Sequence, residues 1–161
     1  MTVVSDTSPL RYLIFSGHVH LIQDIFGHVM IPSAVDRELR DAAAPSVVRE
    51  WISRPPVWLE VVSSTAPGAD LSKLLDQGEA EAIQLAMDVG AEFLLIDEHR
   101  GRSVAASRGA TVIGVLGILL EAYRRRLITN PLEVLADLVG ARFRLSPRLI
   151  VEFEEQVRRL S

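Results

Sequence analysis

TVVSDTSPLRYLIFSG, residues 2–17, is the stretch from which the fold can be read. Its first four residues form a short β-branched run that ends at Asp6, and branched side chains favour a pleated strand. SPLRYLIFSG then reads as a helix, with Ser8 as N-cap, Pro9 at N1 and Gly17 at the stop. The unit is strand, acid, helix.

The rest of the chain repeats this alternation. HVHLIQDIFG places apolar residues at 19, 21, 22, 25 and 26, a helical spacing that ends at Gly27. HVMIP follows as a strand, and SAVDRELRDAA as a helix capped by Ser33, with Val35 and Leu39 one turn apart on its inner side. Pro55 and Pro56 divide REWISRPPVWLEVVS into a helix and a strand. STAPGADLS is the most loop-like segment, before the GEAEAIQLAMDVG helix. AEFLLID is a nearly continuous apolar run of the kind buried on both faces of a parallel sheet. EHRGRSVAASRG reads as a short helix, TVIGV as another buried strand and GILLEAYRRRLI as a further helix. Asn130 and Ser146, each followed by a proline at N1, open two closing helices. Strands alternating with helices predict an α/β fold, a three-layer α/β/α sandwich around a central, mostly parallel sheet.

The chain has 161 residues, 48% of them hydrophobic, which suits one compact domain with a substantial core. It contains no cysteine, so thiolate metal sites, disulfides and cysteine nucleophiles are excluded. Its N-terminus lacks a basic leader, and Asp6 interrupts the apolar run, so neither a signal peptide nor a membrane span is expected and a cytoplasmic location is. A net charge of −4 argues against a generally basic nucleic-acid coat but leaves room for a local basic patch.

In a parallel sheet, functional groups gather outside the carboxyl ends of the strands. Asp6 ends the first strand, Asp97 ends EFLLID, and Glu79 and Glu81 stand where a helix begins. Glu38 lies within a helix, and its role depends on which way that helix faces. Singly, each acid reads as a cap or a solvated carboxylate. Together at one edge, without matching lysines, they repel one another unless a cation or protons neutralise them. All-oxygen ligation suits magnesium or manganese, ions that support phosphodiester cleavage. Glu79 and Glu81 pose their own question: at ~100° per residue they lie about 200° apart on a regular helix and cannot serve one face. His18, His20, His28 and His99 show no zinc spacing, and no nucleophile elbow, P-loop or dinucleotide fingerprint is present.

VVSDTSPLRYL, VMIPSAVDREL, QGEAEAIQLA and FLLIDEHRGRSVAASRGATVIGVLGILLEAYRRRLI, in this order, resemble a PIN domain, and more narrowly a prokaryotic branch related to toxin–antitoxin ribonuclease toxins. The resemblance divides the chain into a PIN-like nuclease domain, residues 1–128, and a C-terminal helical extension, residues 129–161, packed on the same domain. It implies a metal-dependent nuclease, an endoribonuclease that cleaves single-stranded RNA by metal-activated water. Asp6, Glu38, Glu79 and Asp97 would form the catalytic, metal-binding quartet with Mg²⁺ or Mn²⁺. Glu81 joins the metal ligands because a similar GEAEA stretch supplies two acids in the related flap endonucleases. If Glu79 occupies a pre-helical turn, the angular objection weakens, with one glutamate binding directly and the other through water.

Thr7 and Ser8 would support the first acid, and Glu98 stands where many PIN domains carry a further aspartate. Arg100 and Arg102 would contact a substrate phosphate, or equally serve as helix-surface arginines. The resemblance also implies a small antitoxin partner and a homodimer, with no membrane. Single-stranded DNA fits the same kind of groove as RNA. The alternative is a catalytically weak PIN-like module that binds nucleic acid or protein.

Overall fold

The apolar runs assemble into one sheet. In the computed structural model, which describes residues 1–161, the strands are β1 (Val3–Ser5), β2 (Val29–Ile31), β3 (Leu59–Val61), β4 (Phe93–Leu95) and β5 (Val112–Ile113). They lie in the order β3-β2-β1-β4-β5, and every neighbouring pair is parallel. The sheet is therefore wholly parallel. Parallel neighbours require crossovers, which ten helices help to make: α1 (Thr7–Phe15), α2 (His20–Phe26), α3 (Ser33–Arg40), α4 (Ser46–Ser53), α5 (Ala69–Leu74), α6 (Gln77–Val89), α7 (His99–Ser107), α8 (Val115–Arg124), α9 (Pro131–Gly140) and α10 (Pro147–Leu160).

Side chains alternate across the strands with period two, and so do the two cores. Val3 and Leu95 enter a larger core with α1, α2, α3, α4, α8 and the two closing helices, whereas Val4, Leu94 and Ile96 enter a smaller one with α5, α6 and α7. This is a three-layer α/β/α sandwich. From β1 the order runs one way to β2 and β3 and the other way to β4 and β5, so the crevice outside the carboxyl ends of β1 and β4 is a topological switch point. Asp6 lies there, its backbone N–H donating to Leu95 O at 2.8 Å.

Several local expectations are corrected. Asp6, not Ser8, is the N-cap of α1, because the backbone stays extended only as far as Asp6 (φ −78°, ψ 174°) and Ser8 is already helical. Ser33 is likewise the first helical residue of α3, and its N-cap is Pro32. The loop-like STAPGADLS stretch contains the start of α5. Glu79 lies inside α6, in its first turn, rather than in a pre-helical turn. TVIGV supplies a two-residue edge strand that is half-buried, since β5 has a neighbour on one side only.

The closing helices start at the expected caps. Asn130 accepts from Glu133 N and Ser146 from Leu149 N. Both helices pack on α8, and α9 also packs on α1. The apolar face of α2 is consumed by the core through Leu21, Ile22, Ile25 and Phe26, whereas α10 leaves Leu149, Val151 and Leu160 exposed. No helix is long and apolar enough to cross a membrane.

Candidate metal centre

At the switch point the chain builds a cleft of about 540 Å³. Asp6 reaches it from the end of β1, Glu38 from α3, Asp76 and Glu79 from the start of α6, and Glu98 from the start of α7. Thr7 and Ser8 also line it, and Arg11 and Arg100 are its only cationic side chains. Five carboxylates thus face two guanidinium groups.

Glu79 sits on a side-chain N-cap, Asp76, that was not among the expected site residues. Asp76 is the N-cap of α6 and accepts from Glu79 N at 2.8 Å, in the D-x-x-E pattern that marks a helix start. That pattern stands in DQGE, residues 76–79, and was the available signal. Because α6 is helical from Gln77 onward, the angular objection holds and the two glutamates diverge. Glu79 turns into the cleft, while Glu81 turns to α3, its Oε1 accepting from Ala34 N at 3.1 Å and its Oε2 from Gln77 Nε2 at 3.1 Å. Glu81 therefore does not line the acid cleft, contrary to its expected place among the metal ligands.

Asp97 sits at an adjoining wall. Its Oδ1 accepts from Val115 N at 2.8 Å, which fixes it to the first turn of α8, and it lines a neighbouring groove of about 780 Å³. Cleft and groove share Ser8, Tyr12 and Glu98. The two arginines expected to act together are divided: Arg100 lines the cleft, whereas Arg102 lies beside Asp97 in the groove. Arg11 and Tyr12 carried no sequence signal, because only the packing of α1 on the sheet brings them to the cleft. The hydroxyl of Thr7 donates to Glu38 Oε2.

Three glycines let these acids approach their neighbours. A Cβ at Gly78 would lie 2.5 Å from Glu38 Oε1, one at Gly101 2.6 Å from Glu79 Oε2, and one at Gly114 2.8 Å from Asp97 Oδ1. Each carboxylate occupies space that a side chain would fill.

The electrostatics follow from this packing. Burial, with the charges of Asp76, Glu38 and Asp97 added, pushes Asp6 up to about 7, although the Thr7 N–H opposes the shift. Burial and then Asp76 push Glu79 up to about 8. Burial raises Asp97 to about 6 against the Val115 N–H and the Arg102 charge. Asp6 Oδ1, Glu79 Oε2 and Asp97 Oδ2 are buried and meet no hydrogen-bond donor. Such oxygens are costly unless a proton or a cation answers them.

Acceptor-only oxygens of this kind fit a hard divalent ion. As they stand, no three carboxylates or imidazoles form a ready-made cage, and magnesium, which keeps several waters and uses one or two carboxylates, does not require one. The histidines stay outside the cleft: His18 pairs with Asp137 at 3.0 Å and His28 with Glu60 at 2.7 Å, while His99 lines the groove.

A family profile described as a PIN domain matches residues 2–159, a span that includes both closing helices. No curated protein matches the chain. The fold, the acids at the switch point and the profile agree that this chain belongs to the PIN-domain family, whose fold is of the nuclease type.

Proposed function

We propose that the chain is a Mg²⁺- or Mn²⁺-dependent nuclease that cleaves single-stranded RNA. One observation carries this reading: three carboxylates at the switch point of a PIN fold each present a buried oxygen that no donor in the protein reaches. Asp6, Glu38, Glu79 and Asp97 would hold the ion, which when bound supplies Lewis acidity to activate water and stabilise charge developing at phosphorus.

The residues around them have separable tasks. Thr7 orients Glu38, Asp76 fixes the first turn of α6 under Glu79, and Val115 N–H holds Asp97. Arg11 and Arg100 flank the acids and are suited to a substrate phosphate. The preference for RNA, and a role as the toxin of a toxin–antitoxin pair, rest on the family resemblance. Growth arrest on expression, relieved by Asp6→Asn, is the expected sign of the toxin role.

A second reading, a PIN-like binding module that cleaves little, has one observation in its favour: the acids are not gathered into a finished cage. Thermal melting in Mn²⁺ separates an ion site from none. At about 100 times its dissociation constant a bound ion adds roughly 2.7 kcal/mol. Asp6→Asn and Asp97→Asn should each shrink that gain, and an unchanged gain in both removes the proposed site.

A further inference from the structure

We infer that Glu81 is a positioning residue, which caps α3 from the neighbouring helix and thereby sets Glu38 in the acid cleft, and that it binds no ion itself. The inference rests on the reading of that cleft as a divalent-ion site. Helix α3 has no side-chain cap of its own. Pro32 at the N-cap of α3 offers no side-chain oxygen, and first-turn N–H groups lack an intrahelical acceptor. Ala34, the second helical residue, is 2% exposed, so water is a poor substitute.

Glu81 supplies the missing acceptor across the helix pair. Its Oε1 takes the Ala34 N–H at 3.1 Å, and its Oε2 takes Gln77 Nε2 at 3.1 Å with Arg37 3.7 Å away. Both oxygens are thus committed, whereas Glu79 keeps one that is buried and free. A negative charge at the start of α3 also suits the helix dipole.

Helical spacing transmits the cap to the cleft. Ala34 and Glu38 are four apart on one face of α3, and Gly78 and Glu81 are three apart on one face of α6. These faces meet, because Glu38 Oε1 would lie 2.5 Å from a Cβ at Gly78. The two helices are therefore pinned at two points about one turn apart: Glu81 on the Ala34 amide, and Glu38 over Gly78. Releasing the first pin frees α3 to shift along α6 and draws Glu38 away from Thr7 and the acid cleft.

The test compares Glu81→Ala with Glu81→Gln, since glutamine keeps an oxygen for the Ala34 amide but makes a poor metal ligand. Two readouts are taken on the full chain: hydrogen exchange of the Ala34 amide without metal, and Mn²⁺ affinity by paramagnetic resonance of the free ion. Glu81→Ala should lose Ala34 protection and weaken Mn²⁺ binding by about tenfold or more, as loss of an outer partner commonly does, while Glu81→Gln stays within about twofold of wild type. If Glu81→Gln weakens Mn²⁺ binding as much as Glu81→Ala while keeping Ala34 protected, the carboxylate is itself a ligand and the inference is overturned. Unaltered Mn²⁺ affinity in Glu81→Ala overturns it too. A wild-type protein that ignores Mn²⁺ overturns the metal reading first, and this inference with it. If Glu81→Ala fails to fold, Glu81→Gln alone decides: retained affinity supports positioning, and lost affinity with Ala34 protected refutes it.

Discussion

Glu121 and Asp6 are both carboxylates of one small protein, yet their surroundings drive them in opposite directions. Glu121, on the outer turn of α8, receives Arg124 Nη2 at 2.6 Å and Arg125 Nε at 2.7 Å. The Arg124 hydrogen bond above all holds it down to about 2. Asp36, Glu152 and Glu155 have arginine partners four residues away in the same way. At the sheet edge, burial pushes Asp6, Glu79 and Asp97 up, and each keeps an oxygen without a donor. The outer acids are answered within their own helices. The inner acids are brought together by three different elements and left unanswered, which is how a binding site differs from a solvated face.

The comparison predicts opposite responses to pH. An acid that keeps its proton in the fold but loses it on unfolding weakens the fold as pH climbs from the ordinary carboxylate range to its displaced pKa. Freed of divalent ions with EDTA, the protein should therefore lose stability between about pH 4 and pH 8 through Asp6, Glu79 and Asp97. Even about one unit of effective displacement for each acid amounts to roughly 4 kcal/mol. Glu121 acts the other way and lower down, its contribution disappearing as pH falls from the ordinary range towards about 2. Melting temperatures across this range check the sign, and a rise towards pH 8 would break the comparison.

A smaller effect separates two glycines. At Gly101 an added Cβ would meet Glu79 Oε2 at 2.6 Å and Ile96 Cδ1 at 2.7 Å, while at Gly140, in the last turn of α9, it meets nothing within 4 Å. Overpacking costs about 1–3 kcal/mol, and alanine's helix preference returns about 1. Gly101→Ala should lower stability and blunt the Mn²⁺ response, whereas Gly140→Ala should be neutral or gain up to about 1 kcal/mol. Equal denaturation midpoints for the two would mean that the tight seat of Glu79 is unimportant. Least of all, Glu121→Gln should cost about 0.2–1 kcal/mol, and less at high salt, because its partners are solvent-facing.

The fold was legible because its signals are local. Branched and apolar runs gave β1, β2, β3 and β4, and a polar cap with a following proline placed the starts of α9 and α10 to the residue. Ser8 and Ser33 misled because a serine before a helical pattern looks like a cap even when the chain turns earlier, at Asp6 or Pro32. Of the acids expected together, Asp6, Glu38 and Glu79 line one cleft and Asp97 its neighbour; strand ends and a helix start fix where Asp6, Asp97 and Glu79 emerge, whereas Glu38 depends on which way α3 faces. Asp76 was legible as an N-cap from the D-x-x-E spacing of DQGE and was missed. The direction of Glu81 was not legible, because it depends on how α6 meets α3, which no local pattern encodes. Arg11 and Tyr12 were hidden for the same reason.

The most direct measurement is cleavage of a labelled single-stranded RNA, with a matched DNA beside it, by wild type in Mn²⁺, wild type in EDTA, and Asp6→Asn in Mn²⁺. Cleavage of the RNA only when both the ion and Asp6 are present, by a margin of about a hundredfold or more, is the predicted result. RNA and DNA both left intact in all three, from a protein that still binds Mn²⁺, would contradict the nuclease and leave the binding module in its place.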